Sequence, residues 1–275
     1  MSVRSLRYNT ATQHFTKSAL ASTDRDALAF LEAAQIYNTN QQRAIVNLVR
    51  SLKRVGLWTK MKAIYPFIGG TASSHKWNLK DPRDSDAAFR LTFTGGWTHS
   101  STGALPNATN TYAETYLTPS TSLSLNDTHL SFYSRTSSTG TYADMGSAGV
   151  TLNNDGYLQL LLRWSDNIFY TQLNDVDFSD ATVTNSQGYF IGSRRASNDA
   201  ENYKNGTTVK TKTGSSTQLT NKKIFIGARN LTTGISNYSN RECAFATIGD
   251  GLTDTDATNL YNIVDLYQKR LGRAV

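Results

Sequence analysis

Apolar residues fall at helical spacing in three places. Thr23, followed by Asp24 and Asp26, reads as a helix start, with a capping hydroxyl and acids near the positive end of the helix dipole. Ala27, Leu28, Phe30, Leu31 and Ala34 then form one stripe. After Asn38-Thr39-Asn40, Ile45, Leu48, Val49, Leu52 and Val55 form a second, and Gly56 suits a helix end. Together they predict an αα-hairpin. The third stripe closes the chain: Ala257, Leu260, Tyr261, Val264, Tyr267 and Leu271. Thr253 and Asp256 precede it at capping-box spacing, Lys269 and Arg270 suit its negative end, and Gly272 stops it. Residues 1–22 are polar, with scattered Val3, Leu6, Tyr8 and Phe15, and predict an extended arm.

Between the hairpin and the last helix the period shortens. Strands are predicted near residues 62–69, 89–93, 130–135, 157–164, 168–173, 189–194, 207–211, 223–228 and 243–248. Asn154-Asp155-Gly156 marks a turn, and Asn205-Gly206, between 202–204 and 207–209, marks a two-residue hairpin. Many short strands at this spacing predict a β-sandwich. The chain accordingly divides into residues 1–58, arm plus helical hairpin, and residues 59–275, sandwich plus final helix.

Composition strengthens the β reading. Ser, Thr and Asn number 27, 36 and 22 of the 275 residues, against only four Glu, which favours strands and turns over helices. A single cysteine, Cys243, excludes a disulfide scaffold and a cysteine-ligated zinc site; on an apolar strand it reads as a buried, inert thiol. Met1–Phe15 has no apolar signal core, and no apolar run approaches the ~18 residues of a membrane span. The expectation is a chain neither secreted by a standard signal nor inserted in a membrane.

Charge is uneven. Residues 1–62 hold ten Lys/Arg and three acids, whereas residues 63–275 hold 18 of each. Arg43, Arg50, Lys53 and Arg54 therefore form a candidate docking patch for an acidic partner, with a solvated helix face as the plainer reading. No helix-turn-helix or RNA-recognition motif accompanies them, so no specific nucleic-acid partner is expected.

Catalytic chemistry is sparse. No Glu has another within twenty residues, so the paired carboxylates of a glycosidase strand are missing. His14, His75, His99 and His129 form no metal-binding motif and read as surface or strand-edge residues. Asp175, Asp177 and Asp180 offer hard oxygens for a weak calcium site, with solvated turn acids as the alternative; no other cofactor is indicated. Trp97, with His99, Tyr112 and Tyr116, is the candidate carbohydrate site, because sugars stack on aromatic faces and bond to nearby polar groups. Structural packing of Trp97 is the competing reading. Trp164, ending an apolar strand, reads as core.

The run Gln187-Gly-Tyr-Phe-Ile-Gly-Ser-Arg-Arg195, then Asn202-Tyr-Lys-Asn-Gly206, Lys223-Ile-Phe-Ile-Gly-Ala-Arg229 and Phe245-Ala-Thr-Ile-Gly-Asp250 resembles the laminin-G-like, concanavalin A-like jelly roll. The longer pattern resembles a set of bacteriophage and prophage structural proteins from about residue 25 onward. It combines Trp58–Gly70, Ser74–Arg83, Gly95–Gly103 and a terminal Leu271-Gly-Arg-Ala-Val275. That resemblance implies a phage particle assembled in the host bacterium; with the strand-rich pattern and the sparse catalytic chemistry, the expectation is a mainly β, non-enzymatic virion protein. Its front segment would tether it to other virion proteins or to its own copies, with a trimer favoured. Its sandwich would display a surface for host glycans, as in a tail fibre. The alternatives are a ligand-free capsid fibre, decoration or tail-assembly component, and, in another class, a polysaccharide depolymerase.

Overall fold

The computed structural model describes residues 24–149 and 156–275. The predicted arm over 1–22, the Thr23 cap, His14 and the Asn154-Asp155 turn lie outside the described residues. The helices are α1 (Arg25–Ala33), α2 (Thr39–Arg54), α3 (Leu57–Lys60), α4 (Ala72–His75), α5 (Pro119–Ser122) and α6 (Asp254–Arg270). The strands run β1 (Met61–Tyr65), β2 (Thr92–Thr94), β3 (Thr98–Ser100), β4 (Gly103–Leu105), β5 (Tyr112–Glu114), β6 (Thr128–Ser134), β7 (Met145–Ala148), β8 (Tyr157–Leu161) and β9 (Ile168–Leu173). They continue as β10 (Ser179–Thr182), β11 (Gly188–Ala196), β12 (Asp199–Lys204), β13 (Thr207–Lys212), β14 (Phe225–Ile226), β15 (Arg229–Leu231), β16 (Gly234–Ser236) and β17 (Cys243–Gly249).

Two sheets face each other. The first has the order β13-β12-β11-β6-β17-β4-β3, with β1 also on β17; the second runs β10-β9-β8-β7-β14-β5-β2, with the β15–β16 hairpin joined to β7. All pairings are antiparallel except β15 on β7. The expected jelly-roll sandwich with a C-terminal helix is what forms.

Strand alternation explains the layers. Leu130 and Phe132 of β6, Phe190 of β11, and Ala246 and Ile248 of β17 join the core between the sheets. Their neighbours Tyr133, Tyr189, Ile191 and Phe245 point the other way, into a second core. The apolar stripes of α1, α2 and α6 fill that second core. The central strands β6, β11 and β17 are thus buried on both faces. The hairpin's apolar stripe is therefore buried against its own sandwich.

Local signals set the boundaries. Asp24 caps α1, its Oδ1 accepting from the Asp26 N–H at 3.0 Å, and Asn38 caps α2. Thr253 and Asp256 exchange both bonds of a capping box at the start of α6. Asn205 and Gly206 have φ of 50° and 75° and join β12 to β13 through a two-residue turn, with Lys204 opposite Thr207. Elsewhere the prediction needs correction. Phe89 adopts φ 58° at the end of a 3-10 turn, so the strand predicted over 89–93 starts only at Thr92. The 157–164 strand stops at Leu161, and Trp164 is half-buried in the following turn rather than in the core. Strands β3, β4, β5, β7, β10, β15 and β16 were not predicted.

Among the described residues three arginines are fully buried: Arg194, Arg241 and Arg273. Arg241 pairs with Asp144 at 2.8 Å and Arg194 with Asp175 at 2.5 Å. Arg273 instead donates to the carbonyls of Phe67 (2.7 Å), Pro66 (2.8 Å) and Ala244 (2.9 Å) and to Gln268 Oε1 (2.5 Å). It pins the chain's last residues under the end of β1. Pro66 keeps the Tyr267 hydroxyl and Ala244 the Gln268 amide, so replacing Arg273 by Met would strip the donor from the Phe67 carbonyl and from Gln268 Oε1, each costing about 1–3 kcal/mol. The expected loss for Arg273→Met is about 2 kcal/mol or more, read from the urea midpoint at unchanged m-value.

Candidate functional site

One row of residues crosses the outer face of the second sheet in register: Thr92, Glu114, Phe225, Gly146, Gln159 and Gln172. The adjacent row, Phe93, Ala113, Ile226, Met145 and Leu160, faces the core. Tyr112 is two residues from Glu114 and shares the outer face. Its ring stacks on Phe225 with centroids 4.7 Å apart and planes within 12°. Tyr116 stands beside them, its hydroxyl 3.0 Å from Thr92 Oγ1. It holds φ 59°, an uncommon conformation for a bulky residue. Lys223 Nζ lies 4.6 Å from its ring centroid and the Arg90 guanidinium 5.5 Å.

The charges in this patch are matched. Lys223 pairs with Glu114, which raises the lysine pKa. Arg90 reaches Asp86 at 2.8 Å and Asp84 at 3.2 Å. The result is an aromatic platform of half-buried Tyr112 and Tyr116 backed by the buried Phe225 ring, with an electrically balanced, hydrogen-bonding rim. Tyr112 and Tyr116 were found from sequence; Phe225, Arg90 and Lys223 were not, because they arrive from segments 20 to 110 residues away.

Trp97 and His99 do not join that platform. Trp97 packs edge-on to Phe93 at 5.5 Å, and its Nε1 donates to the Tyr112 carbonyl at 3.3 Å. A Cβ on Gly227, where φ is 83°, would fall 2.7 Å from the indole. Trp97 thus closes the end of the inter-sheet core, as the packing reading held. His99 faces His75, Nδ1 to Nδ1, at 2.9 Å. The Gly70 N–H donates to His75 Nε2 at 3.2 Å, so in neutral His75 the proton sits on Nδ1 and is donated to His99.

The histidines are not all surface residues. His75 and His129 are buried. His129 bonds the Asp250 carbonyl and Thr247 Oγ1, starting a buried chain through Ser131 to the Tyr189 hydroxyl. Burial drives the His129 pKa down to about 4. Burial, then the nearby His99 and Arg273, drives that of His75 down to about 3. Cys243 is buried, and burial pushes its thiol well up, as expected of an inert core residue.

The three aspartates do not converge as a calcium site. Asp175 is buried against Arg194 at 2.5 Å and Lys212 at 2.9 Å. Asp177 is exposed, and Asp180 pairs with Lys210 at 3.3 Å. Protein cations occupy the positions a metal would need. Among the described residues no group of three His, Cys, Asp or Glu side chains is placed to hold a metal ion.

Within the described part of the basic front, three lysines pair with acids. Lys53 lies 2.8 Å from Asp24 and 2.5 Å from Asp26, tying the end of α2 to the start of α1, so it is not a free docking residue. Lys60 pairs with Asp256 and Lys62 with Asp250. Arg43, Arg50 and Arg54 are exposed on α2.

Folding does unite one pair of carboxylates that the sequence spacing hides. The Tyr203 hydroxyl bonds both Glu201 and Asp254, at 2.8 Å to the latter, and Arg195 spans both acids. Burial raises the Glu201 pKa, while hydrogen bonds to Glu201, Tyr203 and Arg195 lower that of Asp254 to about 2. Such divergence marks acid–base pairs in some enzymes. Here a phenol fills the space between the acids, where a glycosidase needs carboxyls ~5 Å or more apart with a sugar between them.

No protein-family model matches the chain, and no curated protein matches it in sequence. Solved structures do. Domain 4 of an extracellular GH43 arabinanase from Geobacillus stearothermophilus, in complex with arabinotriose, aligns with a TM-score of 0.52 and 16% identity. The alignment covers 74% of this chain and 98% of that domain. The binding domain of botulinum neurotoxin serotype G aligns at 0.46 with 15% identity, covering 74% of this chain and 51% of that one. A structure of botulinum neurotoxin type C, which depends on interaction with two ganglioside molecules to enter cells, aligns at 0.48 with 12% identity, covering 77% and 53%. The chain spans about half the length of these two toxin structures. The likeness to the arabinanase domain establishes the fold: a jelly-roll β-sandwich.

Two outcomes follow from this geometry. Trp97→Ala removes a packed indole and lowers stability by about 3 kcal/mol in urea unfolding, in the range of large-to-small core changes. The depressed histidines set a pH dependence. Below the ordinary value of 6.5 the unfolded chain takes up protons that native His75 and His129 refuse. Stability should therefore fall as pH drops from about 6.5 toward 4. His129→Gln should flatten that slope in urea midpoints measured across the range.

Proposed function

We propose that this chain is a non-enzymatic carbohydrate-binding sandwich that serves host adhesion in a phage or prophage particle, as a tail-fibre or receptor-binding component. The observation that carries the binding reading is the stacked Tyr112–Phe225 pair on the outer sheet face, rimmed by Thr92, Tyr116, Arg90, Lys223 and Glu114. An aromatic face takes the C–H side of a sugar ring, and the surrounding fixed dipoles bond its hydroxyls. The fold shared with a domain solved in complex with arabinotriose supports that reading. The virion setting rests on the sequence resemblance. Attachment to other virion proteins is assigned to residues 1–23 together with exposed Arg43 and Arg54.

Because Arg90 and Lys223 already have carboxylate partners, an acidic sugar would have to displace Glu114, Asp84 or Asp86. Neutral glycans are the preferred class. The test is a glycan array and titration with isolated host surface polysaccharide. The full chain should bind neutral glycans, and Tyr112→Ala should weaken binding about tenfold or more while unfolding within about 1.5 kcal/mol of the parent. Equal binding by Tyr112→Ala, or release of reducing ends from the polysaccharide, would contradict the proposal.

A further inference from the structure

We infer a second saccharide-binding site at the turn of the helical hairpin, where Tyr37, Gln35, Asn38 and Gln41 face Thr71 and Ser73 across a cavity of about 320 Å³. It takes a single neutral pyranose ring, and it is separate from the outer-sheet platform.

The turn is built in an unusual way. Helix α1 ends with the Gln35 N–H bonded to the Glu32 carbonyl at 3.2 Å and the Ile36 N–H bonded to the Leu31 carbonyl at 3.0 Å. That pattern normally places glycine at the left-handed position, yet Gln35 occupies it at φ 53°. A side chain there costs about 1 kcal/mol relative to glycine. Ile36 is buried, whereas Gln35 and Tyr37 on either side of it are exposed at the cavity.

The opposite wall comes close only because Gly69 has no side chain. A Cβ there would fall 2.5 Å from Ser74 Oγ and 2.7 Å from Ile36 Cδ1. On that wall Thr71 and Ser73 bond each other at 2.9 Å, and Thr71 caps the short helix α4. Their hydroxyls are fixed before any ligand arrives.

The chemistry of the lining selects the ligand. Tyr37 is 59% exposed, the most exposed large apolar side chain among the described residues. Asn38 spends its Oδ1 on the N–H groups of Asn40 (3.0 Å) and Gln41 (3.1 Å), which holds its amide NH₂ in a fixed direction. Side-chain amides and hydroxyls bond vicinal diols, and a phenol ring covers the apolar face of a sugar. None of the residues lining the cavity is charged, so a charged ligand would have no counter-ion. The volume lies at the small end of ligand pockets, roughly 300–1,000 Å³.

The probes are the methyl pyranosides of glucose, galactose, mannose and N-acetylglucosamine, titrated singly against the isotopically labelled full chain. At least one should shift the amides of residues 35–41 and 69–74 saturably. Tyr37→Ala should weaken that binding about tenfold or more, with an unchanged melting curve because the ring is exposed. Tyr37→Phe should restore most of it. Tyr112→Ala should leave it intact, so loss of the outer platform and loss of this site give different results. Methyl glucuronide should bind more weakly than the neutral sugars. The inference is overturned if no probe shifts these amides, if Tyr37→Ala binds as well as the parent, or if the uronide binds most tightly.

Discussion

The fold depends on one constraint: the central strands of its first sheet have no free face. Strands β6, β11 and β17 send alternate side chains into two different cores. Tyr133, Tyr189 and Phe245 would be laid open to water if the helical layer were absent. At about 25 cal/mol per Å² of apolar area, each such ring is worth roughly 1.5–3 kcal/mol of burial. The hairpin, the sheet and the final helix therefore stabilise one another. On the second sheet the outward-facing Gln159 and Gln172 are buried as well, and it is at the β5 end that half-buried Tyr112 and Tyr116 reach the surface. That places the aromatic platform of Tyr112 and Phe225 on the side away from the helices.

Electrostatics follows the same division. Among the described residues, part of the positive charge of the front fifth is matched by acids. Lys53, Lys60 and Lys62 each meet an acid, and two of those acids, Asp250 and Asp256, come from the far end of the chain. Exposed pairs of this kind contribute about 0–1 kcal/mol each. Their larger effect is positional: Lys53 ties α2 to α1, while Lys60 and Lys62 tie α3 and β1 to α6 and the end of β17. The strongest charge work is internal: buried Arg194 and Arg241 each hold a carboxylate and loop carbonyls, and Arg273 holds carbonyls alone.

Local chemistry was legible in the sequence. The Thr253–Asp256 box, the Asn205-Gly206 turn and the apolar stripes of α1, α2 and α6 are each decided within a few residues, and each appears where read. The sandwich was legible for the same reason, from strand-length apolar runs. The short strands β3, β4 and β5 were not, because three-residue ladders in Thr- and Gly-rich sequence are fixed by neighbours and not by propensity. The candidate site was half legible. Tyr112 and Tyr116 announce themselves as aromatics in a polar stretch. That Phe225 stacks beneath one of them, that Trp97 turns inward against Gly227, and that Asp175 is claimed by Arg194 are consequences of contacts between distant segments. The histidines misled for a related reason: His75 and His129 find backbone and hydroxyl partners that make burial tolerable, and no spacing rule encodes those partners.

Native-state hydrogen exchange under increasing denaturant tests the shared burial of the first sheet most directly. The most protected amides of α1, α2, α6, β6 and β17 should converge on a single opening free energy equal to that of global unfolding. Release of the α1–α2 amides through a separate, low-energy opening, with β6 and β17 still protected, would contradict it.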